Sequence, residues 1–252
     1  MEAPKICIIG NSFTYKLKFI FFYCISFRSS RLVESGGNPS EDPIAFWTNG
    51  GPGCSGLLGF LTEQGPFRPK KDLSLALNEY SWHQYSSMVF IESPCGVGFS
   101  YSDDPAGTGD YHTDDAQTAK DNYELLQAFM NRFPHYRKND LYITSESYGG
   151  HYMPTLAKEI VDRNTAGQDA YLNFKGFAVG NPATTFYSAI PASLDTYWGH
   201  QLVSKPLYSK YQTACVDKRI PNVQTLIFFF GFHIIVSKMN HLIQYNFFSL
   251  GE

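Results

Sequence analysis

Ser147 sits between Glu146 and Tyr148 in the stretch DLYITSESYGGHYMP, residues 140–154. An apolar run that reads as a strand leads into it, and a helical pattern follows from His151 to Arg163. A serine at such a strand-to-helix turn has its Oγ lifted above the sheet, where it serves as a nucleophile. The turn is tight and its backbone strained, so the residues two before and two after must be small. Here they are Ser145 and Gly149, so one of the two expected glycines is replaced by the next small residue. A nucleophilic serine also needs a base to take its proton and a third group to orient that base.

A second chemical signal lies upstream in NGGPGCSG, residues 49–56. The loop lacks the Gly-Lys-Ser/Thr ending and the GxGxxG spacing of nucleotide sites, which argues against phosphate binding. Glycines let backbone N–H groups come close to a ligand, and two such donors aimed at one point form an oxyanion hole. Trp47 and Asn49 beside the loop are more than a plain tight turn requires.

The elements that would position these groups alternate along the chain. IAFWT (44–48), MVFIE (88–92), DLYIT (140–144) and LNFKGFAVG (172–180) read as strands. SGLLGFLT (55–62) reads as a short helix. Residues 113–132 read as a long one, with Ala116, Ala119, Tyr123, Leu126 and Met130 on one face and Thr113 or Asp114 as cap. Strands alternating with helices imply an α/β fold, with a mostly parallel sheet covered by helices on both faces.

The chain of 252 residues is long enough for one large α/β domain. A net charge of −3 gives no basic surface for nucleic acid. The five cysteines, Cys7, Cys24, Cys54, Cys95 and Cys215, have no zinc-type spacing. Both ends depart from the rest: residues 5–27 and 226–250 are rich in Phe and Ile and lack Asp, Glu, Arg, Ala and Pro. Lys16 and Lys18 before FIFFYCISF resemble a signal peptide. The same bias at both ends favours translated non-coding sequence instead. Each apolar run is shorter than the roughly 20 residues of a membrane span.

Three segments together resemble the serine carboxypeptidases of the α/β-hydrolase fold. They are NPSEDPIAFWTNGGPGCSGLLGFLTEQGPF (38–67), FIESPCGVGFSYS (90–102) and ITSESYGGHYMP (143–154), in that family's order and spacing. The resemblance runs from about 31 to about 220. It divides the chain into an atypical segment 1–28, a partial α/β-hydrolase domain 29–220 and an atypical tail 221–252. It implies removal of residues from peptide C-termini through an acyl-enzyme, usually at acidic pH, with no metal or cofactor, in a secreted or vacuolar/lysosomal enzyme. Ser147 would be the nucleophile, and the N–H groups of Gly51 and Tyr148 the oxyanion hole. Asn49, the backbone of Gly50 and Glu146 would hold the substrate's terminal carboxylate, with Glu63 paired to Glu146. Two carboxyls facing a third cannot all ionise in a small pocket, so one must keep its proton. Cys54 and Cys215 would bond to cysteines further on, and Cys95 replaces a small apolar residue.

The same fold also houses acyltransferases with this elbow, and a non-catalytic homologue that binds peptide C-termini is a third reading. An esterase or lipase would have no use for the pair Asn49 and Glu146. The fold orders its triad Ser, Asp, His. After Ser147 the histidines are 151, 200, 233 and 241, and the aspartates 162, 169, 195 and 217. His151 lies in the helix after the elbow, and His200 reads as the start of a helical insertion. His233 and His241 lie in the tail, and no strand–helix framework separates Asp217 from His233. The expectation is a sheet truncated before its last strands, without base or orienter, and inactive as written.

Overall fold

The computed structural model describes residues 17–23, 26–102, 111–167 and 169–213. Its elements run β1 (Leu17–Tyr23), β2 (Ser26–Val33), β3 (Ile44–Thr48), α1 (Leu57–Thr62), β4 (Phe67–Pro69), β5 (Leu75–Leu77), β6 (Ser87–Ile91) and β7 (Tyr101–Ser102). They continue with α2 (Asp115–Arg132), β8 (Leu141–Glu146), α3 (Gly149–Ala166), β9 (Phe174–Gly180), α4 (Phe186–Gly199) and α5 (Lys205–Tyr211). The chain divides into a first unit up to Thr184 and a second from Thr185.

In the first unit, six strands form a sheet in the order β1-β2-β6-β3-β8-β9, with β7 paired to β2. β6, β3, β8 and β9 are mutually parallel. β1, β2 and β7 join antiparallel at one side. The hairpin β1–β2 draws part of the Phe- and Ile-rich segment 1–28 into the sheet, in keeping with the strand preference of aromatic and β-branched residues. Each parallel strand needs a crossover, and α2 and α3 supply helical ones.

Alternation along the strands sorts side chains into two cores. Ile44 and Phe46 face one way with Val89, Ile91 and Ile143, where α2 and α3 bring Tyr123, Phe129, Met153 and Ile160. Ala45 and Trp47 face the other way with Met88 and Phe90, under Phe60 of α1. The buried face of α2 differs from the sequence expectation. Ala116 is exposed, whereas Thr118, Asn122, Leu125 and Phe129 are buried with Ala119, Tyr123, Leu126 and Met130. The helix lies against both the sheet and α3 and therefore covers a wider arc than one stripe. Asp114 is its cap, accepting from the Gln117 N–H at 2.7 Å.

In the second unit, Trp198 of α4 stacks on Tyr208 of α5 at 4.9 Å between centroids, and the Tyr208 hydroxyl donates to Asp195 at 2.6 Å.

Candidate active site

Parallel neighbours end at the same edge of a sheet. The carboxyl ends of β3, β6 and β8 thus bring together three loops that start at residues 49, 92 and 147. This is the edge where open α/β sheets bind ligands.

Ser147 is exposed at the tip of the turn after β8, with φ at 53°. A left-handed backbone at a residue with a side chain is strained by about 1–2 kcal/mol and needs outside support. That support is present: the Ser147 N–H donates to the Gly180 carbonyl at 2.8 Å. Its own carbonyl accepts from Gly150 N–H at 3.0 Å and Ala183 N–H at 2.7 Å. The flanks fit as tightly as the turn demands. A Cβ on Gly149 would lie 2.1 Å from Ser145 Oγ. Ser145 fits because Gly149 leaves that space open, and its hydroxyl donates to the Thr48 carbonyl at 2.7 Å, tying β8 to β3.

The glycine loop presses directly on this elbow. A Cβ on Gly50 would sit 2.5 Å from both the Tyr148 nitrogen and the Glu146 carbonyl oxygen. Gly51 follows with φ at 106°, a conformation that favours glycine. Gly50–Gly51 and Tyr148 are thereby neighbours in space although about a hundred positions apart in sequence.

Beside the elbow, Asn49 is fully buried and satisfied on both sides of its amide. Its oxygen accepts from the Trp47 indole at 2.9 Å and the Gly59 N–H at 3.0 Å. Its nitrogen donates to Glu63 at 3.0 Å and to Glu146 at 2.9 Å. One amide therefore bridges both carboxyls, and the indole fixes which way round it lies. Burial raises the Glu63 carboxyl above the usual range, and the neighbouring Glu146 raises it further. Asn49 and Arg68 oppose the shift. Glu63 and Glu146 line a cavity of about 420 Å³ walled by Trp47, Tyr80 and Trp82.

A model of the serine carboxypeptidase family matches residues 18–246. The chain belongs to the serine carboxypeptidase family. The match reaches further towards both ends than the 31–220 expected from the motifs. The chain is 44% identical over 187 residues to serine carboxypeptidase-like 21 of Arabidopsis thaliana, covering 73% of this chain and 37% of that protein. It is 42% identical over 184 residues to the lysosomal protective protein of Mus musculus, with coverages of 73% and 37%. Among solved structures it resembles a prohormone-processing carboxypeptidase from Saccharomyces cerevisiae, with a TM-score of 0.65 and 26% identity over 71% of this chain and 39% of that one. The fold is that of the α/β-hydrolases. The chain spans less than half the length of each of these relatives.

Within this serine carboxypeptidase chain, the structure gathers Asn49, Gly50, Gly51, Glu63, Glu146, Ser147 and Tyr148 at one sheet edge. Two other acid candidates in the first unit have partners of their own. Asp162 pairs with Lys158 on α3, and Asp169 accepts from Tyr123 at 3.1 Å and Arg163 at 3.3 Å. His200 and Asp195 belong to the second unit. Asp217, His233, His241, Cys7, Cys24 and Cys215 lie outside the described residues. His151 stacks on Tyr148 with ring centroids 4.7 Å apart and faces Asp115 at 3.8 Å. Among the described residues, no side chain hydrogen-bonds Ser147 Oγ, and no three metal-ligating side chains cluster. Cys54, in the glycine loop, is a free thiol. No described helix is long and apolar enough to cross a membrane.

Two contributors escaped the sequence reading. Asp115 accepts the Tyr148 hydroxyl with both carboxylate oxygens, at 3.1 and 3.2 Å. Glu92, after β6, is buried and accepts from Ser55 Oγ at 2.6 Å and Phe99 N–H at 2.9 Å, with Arg31 at 4.0 Å. Glu92 thereby fastens the glycine loop to its neighbouring loop. Its place at the carboxyl end of an apolar strand was the available signal, because buried charges are paired.

Proposed function

We propose that this chain carries the nucleophile and carboxylate-binding part of a serine-type carboxypeptidase that acts on peptide C-termini through an acyl-enzyme on Ser147. The observation that carries this reading is the Asn49 bridge between Glu63 and Glu146 beside the elbow. An esterase or lipase needs only the elbow and the hole. A pair of carboxyls sharing one buried amide suits the recognition of a third carboxylate, provided that one of the pair holds a proton. The raised Glu63 carboxyl supports that role.

In this reading Ser147 Oγ attacks the carbonyl of the last peptide bond. The N–H groups of Gly51 and Tyr148 receive the developing oxyanion. Asn49, the Gly50 backbone, Glu146 and Glu63 hold the terminal carboxylate and so select the last bond in the chain. The reaction draws on no metal or cofactor. The reading assigns no base or orienter within these 252 residues. The chain alone is expected to turn over little or no peptide, because triad loss leaves only about 10³–10⁴ over water. By its family it works in a secreted or vacuolar/lysosomal compartment.

That no described side chain bonds Ser147 Oγ favours a second reading, a non-catalytic homologue that binds peptide C-termini through the same residues. One titration tests what the two share. At acidic pH, a short peptide with a free C-terminus should bind the Ser147→Ala chain, and its C-terminally amidated twin should bind at least tenfold more weakly, since a charge-assisted hydrogen bond contributes about 1.5–3 kcal/mol. Equal affinity for the two would rule out the carboxylate site. Hydrolysis by a longer form carrying an Asp and a His would separate enzyme from binder.

A further inference from the structure

We propose that Asp115 is a positioning residue for the Tyr148 side of the oxyanion hole, a role that rests on the functional reading above. The geometry is a clasp between α2 and the start of α3. Asp115 is the first residue of α2, and Asp114 caps that helix. Asp115 receives the Tyr148 hydroxyl on both of its oxygens.

The Tyr148 ring is held on its other sides as well. His151 stacks on its face, and Tyr152 meets it edge-on with centroids 5.0 Å apart. Burial raises the Tyr148 phenol above its usual range, and Asp115 raises it further, so it remains a hydrogen-bond donor. Tyr152 is buried in turn, its phenol pushed up to about 12 chiefly by burial, with the Gly53 backbone of the glycine loop opposing the shift.

The consequence concerns the main chain. Tyr148 follows a strained residue, and Ser147 has no side-chain tether of its own. A phenol fixed at its far end restrains rotation about the Tyr148 backbone, and with it the direction of the N–H offered to an oxyanion. Hydrogen-bond donors act in catalysis only when already aimed at the developing charge. The effect of Asp115 passes through Tyr148, whose hydroxyl it holds.

The test is nuclear magnetic resonance of the ¹⁵N-labelled 252-residue chain. Asp115→Ala and Tyr148→Phe should shift the Tyr148 backbone amide resonance in the same direction. Each should speed its exchange with solvent by about tenfold, as befits the loss of one hydrogen bond to a charged group. Asp115→Asn keeps an acceptor and should restore most of the wild-type behaviour. In a form that hydrolyses peptide, Asp115→Ala should lower kcat about tenfold with KM unchanged, the mark of an interaction made in the transition state.

A Tyr148 amide unmoved in Asp115→Ala, with only the melting temperature lowered, would reduce Asp115 to a stabilising residue of the first turn of α2 and overturn the proposal. Should that variant fail to fold, Tyr148→Phe decides on the same resonance. The free-against-amidated peptide comparison uses Ser147→Ala with Asp115 intact, so failure of the functional reading and failure of the clasp are seen separately.

Discussion

The Cβ that Gly50 lacks would lie 2.5 Å from the backbone nitrogen of Tyr148. No real side chain sits that close to a main-chain atom, so the glycine loop and the elbow are in contact through bare backbone. Gly50→Ala must push the two apart. It is expected to destabilise the chain by about 1–3 kcal/mol, the usual range for overpacking, and to weaken binding of free peptide C-termini. Urea unfolding together with the peptide titration checks both; a variant of wild-type stability would show that the loop has room to retreat.

Strain at Ser147 predicts an order of stabilities. Ser147 holds φ at 53°, where alanine is as strained as serine and glycine is not. Ser147→Gly should therefore exceed Ser147→Ala in stability by about 1 kcal/mol. Thermal melts of the two variants decide it, and the reverse order would show that the turn carries no such strain.

The carboxyl pair sets a pH dependence with a definite sign. Glu63 is raised in the folded chain by burial first and Glu146 second. A carboxyl that binds its proton more tightly when folded stabilises the fold below its unfolded value, about 4.3. That stability is lost as pH rises through the folded value. Glu63→Gln removes the loss, so its melting temperature should rise relative to wild type between acidic and neutral pH. A constant difference across that range would mean that Glu63 ionises without penalty.

The same pair should govern binding. With Glu146→Gln, one of the two carboxyls can no longer ionise, and the need for a shared proton disappears. Affinity for a free peptide C-terminus should then change less with pH than in wild type. Titrations at acidic and neutral pH give the comparison; an identical pH profile would remove Glu146 from the site.

Glu92 offers a test of a buried charge. Glu92→Ala removes the buried carboxylate that faces Arg31 at 4.0 Å, an arginine whose own pKa is lowered by burial against the raising effect of Glu92. Breaking a buried pair in this way typically costs about 3–5 kcal/mol. Ser55 and the Phe99 N–H lose their acceptor as well. Chemical denaturation should show a fall of that size, and a change below about 1 kcal/mol would place the pair among weak surface-type bridges.

Local pattern was enough for much of this protein. The strand at 44–48, the strand expected at 172–180 and found at Phe174–Gly180, the helices after the glycine loop and the elbow, and Asp114 as a cap follow from periodicity and from which residues tolerate tight turns. The elbow was legible because a strand, a small-residue turn and a helix are consecutive in the chain. Other features arise only when distant segments meet. Trp47 and Gly59 fixing the Asn49 amide, Asn49 joining two carboxyls, Asp115 holding the Tyr148 phenol and Glu92 tying two loops all depend on neighbours that parallel strand pairing brings to one edge. The width of the buried face of α2, and the exposure of Ala116, likewise follow from what the helix lies against. Periodicity specifies which residues share a face; packing specifies how much of that face is covered and which polar groups must find each other once water is excluded.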